Sequence, residues 1–148
     1  MTIRAALQSD YPAIIEAIRA FVGGSSYAAH DSVNDAHVAA TLKALGEADD
    51  GCVIVMDDDA GQFAGVFIGM AHPHLFSGVK MCGELFVYVR PDLRGRGKEL
   101  KATAEAWAKS RGCQSMTFSF PESEAHLDPV YRKWGYFPCE RAYRKELD

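Results

Sequence analysis

Apolar and polar positions along the chain repeat with two different periods, and the switches between them mark out its elements. Thr2–Leu7 reads as a first strand. Ser9-Asp10-Tyr11-Pro12 has the form of a helix start, a capping hydroxyl or acid followed by an early proline. Tyr11, Ile14, Ile15, Ile18, Phe21 and Val22 then recur at helical spacing and predict one apolar face, ended by Gly23-Gly24-Ser25-Ser26. After a loop over Tyr27–Asn34, Ser32 with Asp35 three residues on resembles a capping box ahead of a second helix, from about Asp35 to Leu45. Its face is thinner, with Val38, Leu42 and Leu45 among alanines. Cys52–Met56 and Phe63–Met70 read as two strands of a hairpin around an acidic turn. Ala71–Gly78 reads as irregular, and Val79–Val89 as a further strand stopped by Pro91.

Behind that proline a helical pattern resumes, with Leu100, Thr103, Ala104, Trp107 and Ala108 on one face and Arg111-Gly112 as its stop. Ser115–Phe120 is the next strand. Asp128-Pro129 opens a short helix through Tyr131 and Trp134 that Gly135 ends, and Tyr136–Pro138 and Arg141–Glu146 read as closing strands. The order β-α-α-β-β-β-α-β-α-β predicts an α/β (α+β) fold, a central mixed, mostly antiparallel sheet with helices on both faces. The β-α-β unit around Pro91 supplies a parallel crossover. With no linker, repeat or low-complexity tract, residues 1–148 read as a single domain.

Composition narrows the function. A net charge of −4 argues against a nucleic-acid partner, which needs a broad basic surface. No apolar run approaches the ~20 residues of a membrane span, no leader is recognisable, and a cytoplasmic protein is expected. Cys52, Cys82, Cys113 and Cys139 lack zinc-knuckle spacing and read as free thiols. His72-Pro73-His74 has no further close ligands, and Asp57-Asp58-Asp59 lacks the remainder of a calcium loop, so no metal is expected. Trp107 and Trp134 read as core residues.

Against this acidic background, the positive charge of Arg94-Gly95-Arg96-Gly97-Lys98 is local. Strand, basic glycine-containing loop and helix form a layout suited to phosphates, because N–H groups at a helix N-terminus lack intrahelical partners. A Walker loop is excluded: Glu99 follows Lys98, and no glycine lies five residues before Gly97. A dinucleotide fingerprint lacks its third glycine.

Val89-Arg90-Pro91-Asp92-Leu93-Arg94-Gly95-Arg96-Gly97 resembles instead the pyrophosphate loop of the GCN5-related N-acetyltransferases, the GNAT family. Val130-Tyr131-Arg132-Lys133-Trp134-Gly135-Tyr136 resembles that family's L-Y-x-K-x-G-[FY] segment, in the family's order and at about its spacing. The likeness extends over nearly the whole chain and is strongest to small single-domain members, phage and bacterial forms among them. It implies transfer of an acetyl group from acetyl-CoA, the cosubstrate, to an amine acceptor, small molecule or protein, by direct attack in a ternary complex.

The resemblance implies that the strand backbone at Val87, Tyr88 and Val89 faces the pantetheine arm. It implies that N–H groups from Arg94 through Gly95, Arg96, Gly97 and Lys98 to Glu99 hold the pyrophosphate, and that Tyr131 protonates the leaving thiolate. Glu84 is the candidate base, acting directly or through water. The acceptor cleft is expected over Phe21–Asp35, with Ser25, Ser26, Tyr27 and His30 as candidate contacts. Glu99 departs from the family pattern, which keeps a small residue there; it motivates an alternative reading, a CoA-binding regulatory module with little or no catalysis. The closing strands are edges available to a second copy, so a homodimer is also an expectation.

Overall fold

The structure, a computed structural model, describes residues 1–147. Five strands form one sheet: β1 (Thr2–Ala5), β2 (Gly51–Asp57), β3 (Phe63–Pro73), β4 (Lys80–Val89) and β5 (Ser115–Thr117), in spatial order β1-β2-β3-β4-β5. The first four pair antiparallel, and β4 pairs β5 in parallel. Helices α1 (Tyr11–Gly23) and α2 (Asp35–Glu47) cover one face, and α3 (Gly97–Ser110) covers the other. The short helix α4 (Asp128–Lys133) follows β5.

Strand alternation builds two cores from one sheet. In β2, Cys52, Ile54 and Met56 point to α3, where Leu100, Ala104 and Ala108 meet them. Val53 and Val55 point the other way, to Ile14 of α1 and to Leu42 and Leu45 of α2. Burial on both faces explains why β2 reads as an unbroken apolar run. The thin face of α2 is enough because it packs on the middle of the sheet, where Leu42 is fully buried.

Local structure differs from expectation at four places, the first being β5, read over Ser115–Phe120 but formed only over Ser115–Thr117. The second helix is capped by Asn34, whose side chain accepts from the His37 N–H at 3.0 Å, and not by Ser32. Asp35 pairs instead with Arg19 at 2.6 Å and ties α2 to α1. The strand read as ending at Met70 runs on to Pro73, because β4 offers it partners down to Lys80. The expected closing strands do not form, and residues 136–147 are irregular. Pro138 has no N–H for a ladder, and β5 offers an edge of only three residues. The tail's side chains bind elsewhere: Tyr136 Oη donates to Glu105 at 2.8 Å, and Arg144 pairs with Asp31 at 2.6 Å.

Gly51 marks a close approach between α2 and the sheet. A Cβ there would lie 2.9 Å from Leu45 Cα and closer still to the Leu45 carbonyl, so the backbone itself would have to move. Gly51→Ala is expected to cost ~2–3 kcal/mol. Thermal denaturation checks this as a fall in Tm of ~5–10 °C.

Candidate functional site

Two irregularities of β4 create the site. The first is a bulge: Ile68 pairs with Phe86 and Gly69 with Glu84, so Leu85 is an extra residue. The bulge inverts the alternation. Cys82 before it and Val87 and Val89 after it all reach the α3-side core, while Phe86 and Tyr88 reach the α1/α2 side. Leu85 itself is 55 % exposed.

The second is a splay. The β4–β5 ladder ends at Gly83↔Thr117, although β4 continues to Val89. The N–H of Arg90 donates to Ala64 O on β3 at 2.9 Å. Backbone groups of an antiparallel strand alternate in direction. Tyr88 therefore also turns its N–H and C=O toward β3, whereas Val87 and Val89 turn theirs to the open edge. Of the three β4 residues named from the sequence, the splay presents Val87 and Val89 by backbone and not Tyr88.

The open edge leads into the basic loop. A 3₁₀ turn over Pro91–Leu93 precedes it, and Gly95 has φ +98°, a conformation that favours glycine. The N–H groups of Arg94, Arg96 and Glu99 are engaged by Pro91 O, Leu93 O and Arg96 O. Those of Gly95, Gly97 and Lys98 donate to no group among the described residues. These three donors sit together at the N-terminus of α3, the positive end of its dipole. Gly97 lies against Val89 and Trp134, which brings the loop next to α4.

Glu99 is held by Arg96, whose Nε donates to both carboxylate oxygens at 3.2 Å. Its charge is thus met by a neighbouring cation. Lys101 binds Glu105 at 3.0 Å and lies over the rings of Trp134 and Tyr136. Between α3 and α4 opens a cleft of about 940 Å³, with Gly95, Lys98, Lys101, Lys133 and Trp134 in its walls.

Glu84 sits at the point of the splay. Its Oε2 accepts from both donors of Ser119, the N–H at 3.1 Å and the Oγ–H at 3.2 Å. Burial raises its pKa from the ordinary 4.5 to about 7, against the opposing pull of the Ser119 bonds. Tyr131 on α4 lies in an aromatic slot, stacked on Phe118 at 5.5 Å and on Phe120 at 5.6 Å, with Trp134 edge-on. Burial, and next the negative charge of Glu84, push the phenol well above its usual range. Its hydroxyl makes no hydrogen bond among the described residues. The splay thus brings together a carboxyl that titrates near neutrality and a phenol that keeps its proton. Cys82 is buried, and its thiol is pushed up to about 11, mainly by desolvation.

On the α1/α2 side, Phe21 meets Phe86 at 5.4 Å and Tyr27 at 6.0 Å. The Ser26 N–H donates to Ser123 Oγ at 3.0 Å, and Asp31 holds Arg144. The α1–α2 connection, the segment after β5 and the tail therefore converge beside the bulge. Ser119 was not singled out from the sequence. The alternation Phe118-Ser119-Phe120 was the signal for Ser119, a polar position between two apolar ones at a strand end. Among the described residues no group of three His, Cys, Asp or Glu is placed to hold a metal, and no helix is long and apolar enough to cross a membrane.

Comparison with solved structures finds the same fold at low sequence identity. A transcriptional regulator from Bacillus halodurans C-125 superposes with TM-score 0.80 at 16% identity, covering 99% of each chain. The aminoglycoside N-acetyltransferase AAC(6')-Iy, solved with a bisubstrate analogue of CoA, superposes with TM-score 0.77 at 19% identity, covering 99% of this chain and 98% of that one. Glucosamine-6-phosphate N-acetyltransferase from Arabidopsis thaliana gives TM-score 0.76 at 20% identity, with coverage of 99% and 98%. No curated protein matches the sequence significantly. The sequence profile of the Acetyltransferase (GNAT) family matches residues 13–136. That match spans both motifs, the splayed strand and both helical layers, and with it the chain belongs to the GNAT acetyltransferase family.

Proposed function

We propose that this protein transfers the acetyl group of acetyl-CoA to an amine by direct attack in a ternary complex, with Glu84 as base and Tyr131 as acid. The observation that carries the reading is the continuous path from the free amides of Gly95, Gly97 and Lys98, along the open β4 edge, to Glu84 and Tyr131.

The residues fit the cosubstrate. The pyrophosphate is held by the free amides, aided by Arg94 and Lys98, while the Arg96–Glu99 pair leaves little repulsion there. The pantetheine amides add to the β4 edge at Val87 and Val89 as a short extra strand, and the α3–α4 cleft takes the nucleotide end. The N–H of Val87 is available to the oxyanion that develops on the thioester carbonyl. Glu84 accepts the proton of the attacking amine, directly or through water, and Tyr131 donates its own to the departing thiolate. Cys82 is set aside as a nucleophile by its raised pKa. The free thiols are in keeping with a reducing cytoplasm.

Calorimetry with acetyl-CoA, followed by thiol-release assays across a panel of primary amines, tests the proposal. Binding with turnover on at least one amine is expected. Binding without turnover across the panel would favour the CoA-binding regulatory module, and absence of binding would overturn both. Lys98→Ala is expected to weaken acetyl-CoA binding ~10-fold, the scale of one charge-assisted contact to phosphate, with the melting temperature unchanged.

A further inference from the structure

The parallel ladder between β4 and β5 does not fade; it is cut. Thr117 is the last paired residue of β5. Two residues on, the N–H of Ser119 would serve a β4 carbonyl if the ladder continued. Instead it donates to the Glu84 side chain at 3.1 Å, and the Ser119 hydroxyl donates to the same oxygen at 3.2 Å. Both donors converge on Oε2, and Oε1 accepts from no group among the described residues. A carboxylate held by two bonds on one oxygen has its plane set and offers the other oxygen to a ligand.

We propose that Ser119 is a positioning residue, which clips the Glu84 carboxylate at the point of strand separation and leaves Oε1 as the atom that receives the proton. The role rests on Glu84 serving as base in the reaction proposed above. Ser119 itself touches neither the cleft nor the basic loop, and it is exposed, so its removal spares the core.

The surroundings of Glu84 allow its titration to be read cleanly. Among the described residues, Cys82 on the same strand and Tyr131 on α4 are the titratable groups that interact with it, and both are pushed upward, so both stay protonated through the neutral range. His72 on β3 lies beside Gly83, on the opposite face of the sheet by strand alternation. A hydroxyl donor to a carboxylate favours the charged form.

The test is a carbon-detected NMR titration of the Glu84 carboxyl in the whole protein, wild type against Ser119→Ala and Ser119→Thr. Ser119→Ala keeps the backbone N–H and loses the hydroxyl, so its midpoint is expected ~0.5–1 pH above wild type, and Ser119→Thr is expected to restore it. In turnover assays Ser119→Ala is expected to lower kcat ~10-fold with KM for acetyl-CoA unchanged, and to move the acid limb of the pH profile by the same interval. Coincident midpoints in wild type and Ser119→Ala would overturn the inference. A displaced midpoint without any displacement of the acid limb would overturn it equally. If Glu84→Gln keeps full turnover, the base assignment itself fails, and that result is separate from the midpoint comparison.

Discussion

Glu84→Gln is expected to lower kcat/KM ~10²–10³-fold and to abolish the acid limb expected for wild type near pH 7. Glutamine keeps the shape and can still accept both Ser119 bonds through its amide oxygen, so the loss reports proton transfer and not collapse of the splay. The same substitution is expected to stabilise the protein at alkaline pH. The folded-state pKa of Glu84, about 7, lies above the ordinary 4.5. The fold therefore favours the neutral form, and ionising it costs stability. That cost is absent below pH 4.5, grows between pH 4.5 and 7, and is constant above. Glutamine escapes it, gaining up to ~3 kcal/mol at pH 8. Denaturation at pH 4 and pH 8 checks the sign: the two proteins should be similar at pH 4, and the variant should be the more stable at pH 8. A variant less stable at pH 8 would contradict the desolvated site on which the prediction depends. A carboxyl that burdens the fold when charged is in keeping with the base role proposed for Glu84.

Tyr131→Phe is expected to lower kcat ~10²-fold, with KM for acetyl-CoA nearly unchanged and stability within ~0.5 kcal/mol. The ring supplies the contacts with Phe118, Phe120 and Trp134, and phenylalanine retains them. The hydroxyl has no hydrogen-bond partner among the described residues to lose. Burial and Glu84 hold the phenol protonated well beyond neutrality, so wild type is expected to show no alkaline limb from Tyr131 below about pH 10. A leaving-group series separates the acid role from mere packing. With an acetyl thioester of a strongly acidic thiol, departure no longer needs a proton, and the penalty of Tyr131→Phe should shrink toward unity. An equal penalty for basic and acidic thiols would remove Tyr131 from the acid role.

The sequence carried the fold class because its periodicities are local. The unbroken apolar run of β2, the one-sided α1 and the face of α3 are set by spacing within single elements, and each formed as read. The two motifs around Arg94 and Tyr131 pointed to the family for the same reason, as short strings held by neighbouring residues. The terminal strands failed because a strand needs a partner of matching length. The tail instead reached Glu105 and Asp31, contacts that span 31 and 113 positions.

The site was only half legible. Sequence alone determined which groups were on offer: a basic glycine loop, a phenol, a strand carboxylate and an acid at Glu99. Tertiary structure decided what those groups became. The Leu85 bulge set which faces of β4 are presented, and the early end of β5 opened the edge at Val87 and Val89. Arg96, three positions along one helical turn, took up the charge of Glu99. Burial beside Ser119 made Glu84 a group that titrates near neutrality. A register shift, a strand's end and a local dielectric are properties of how distant segments meet, and no spacing along the chain encodes them.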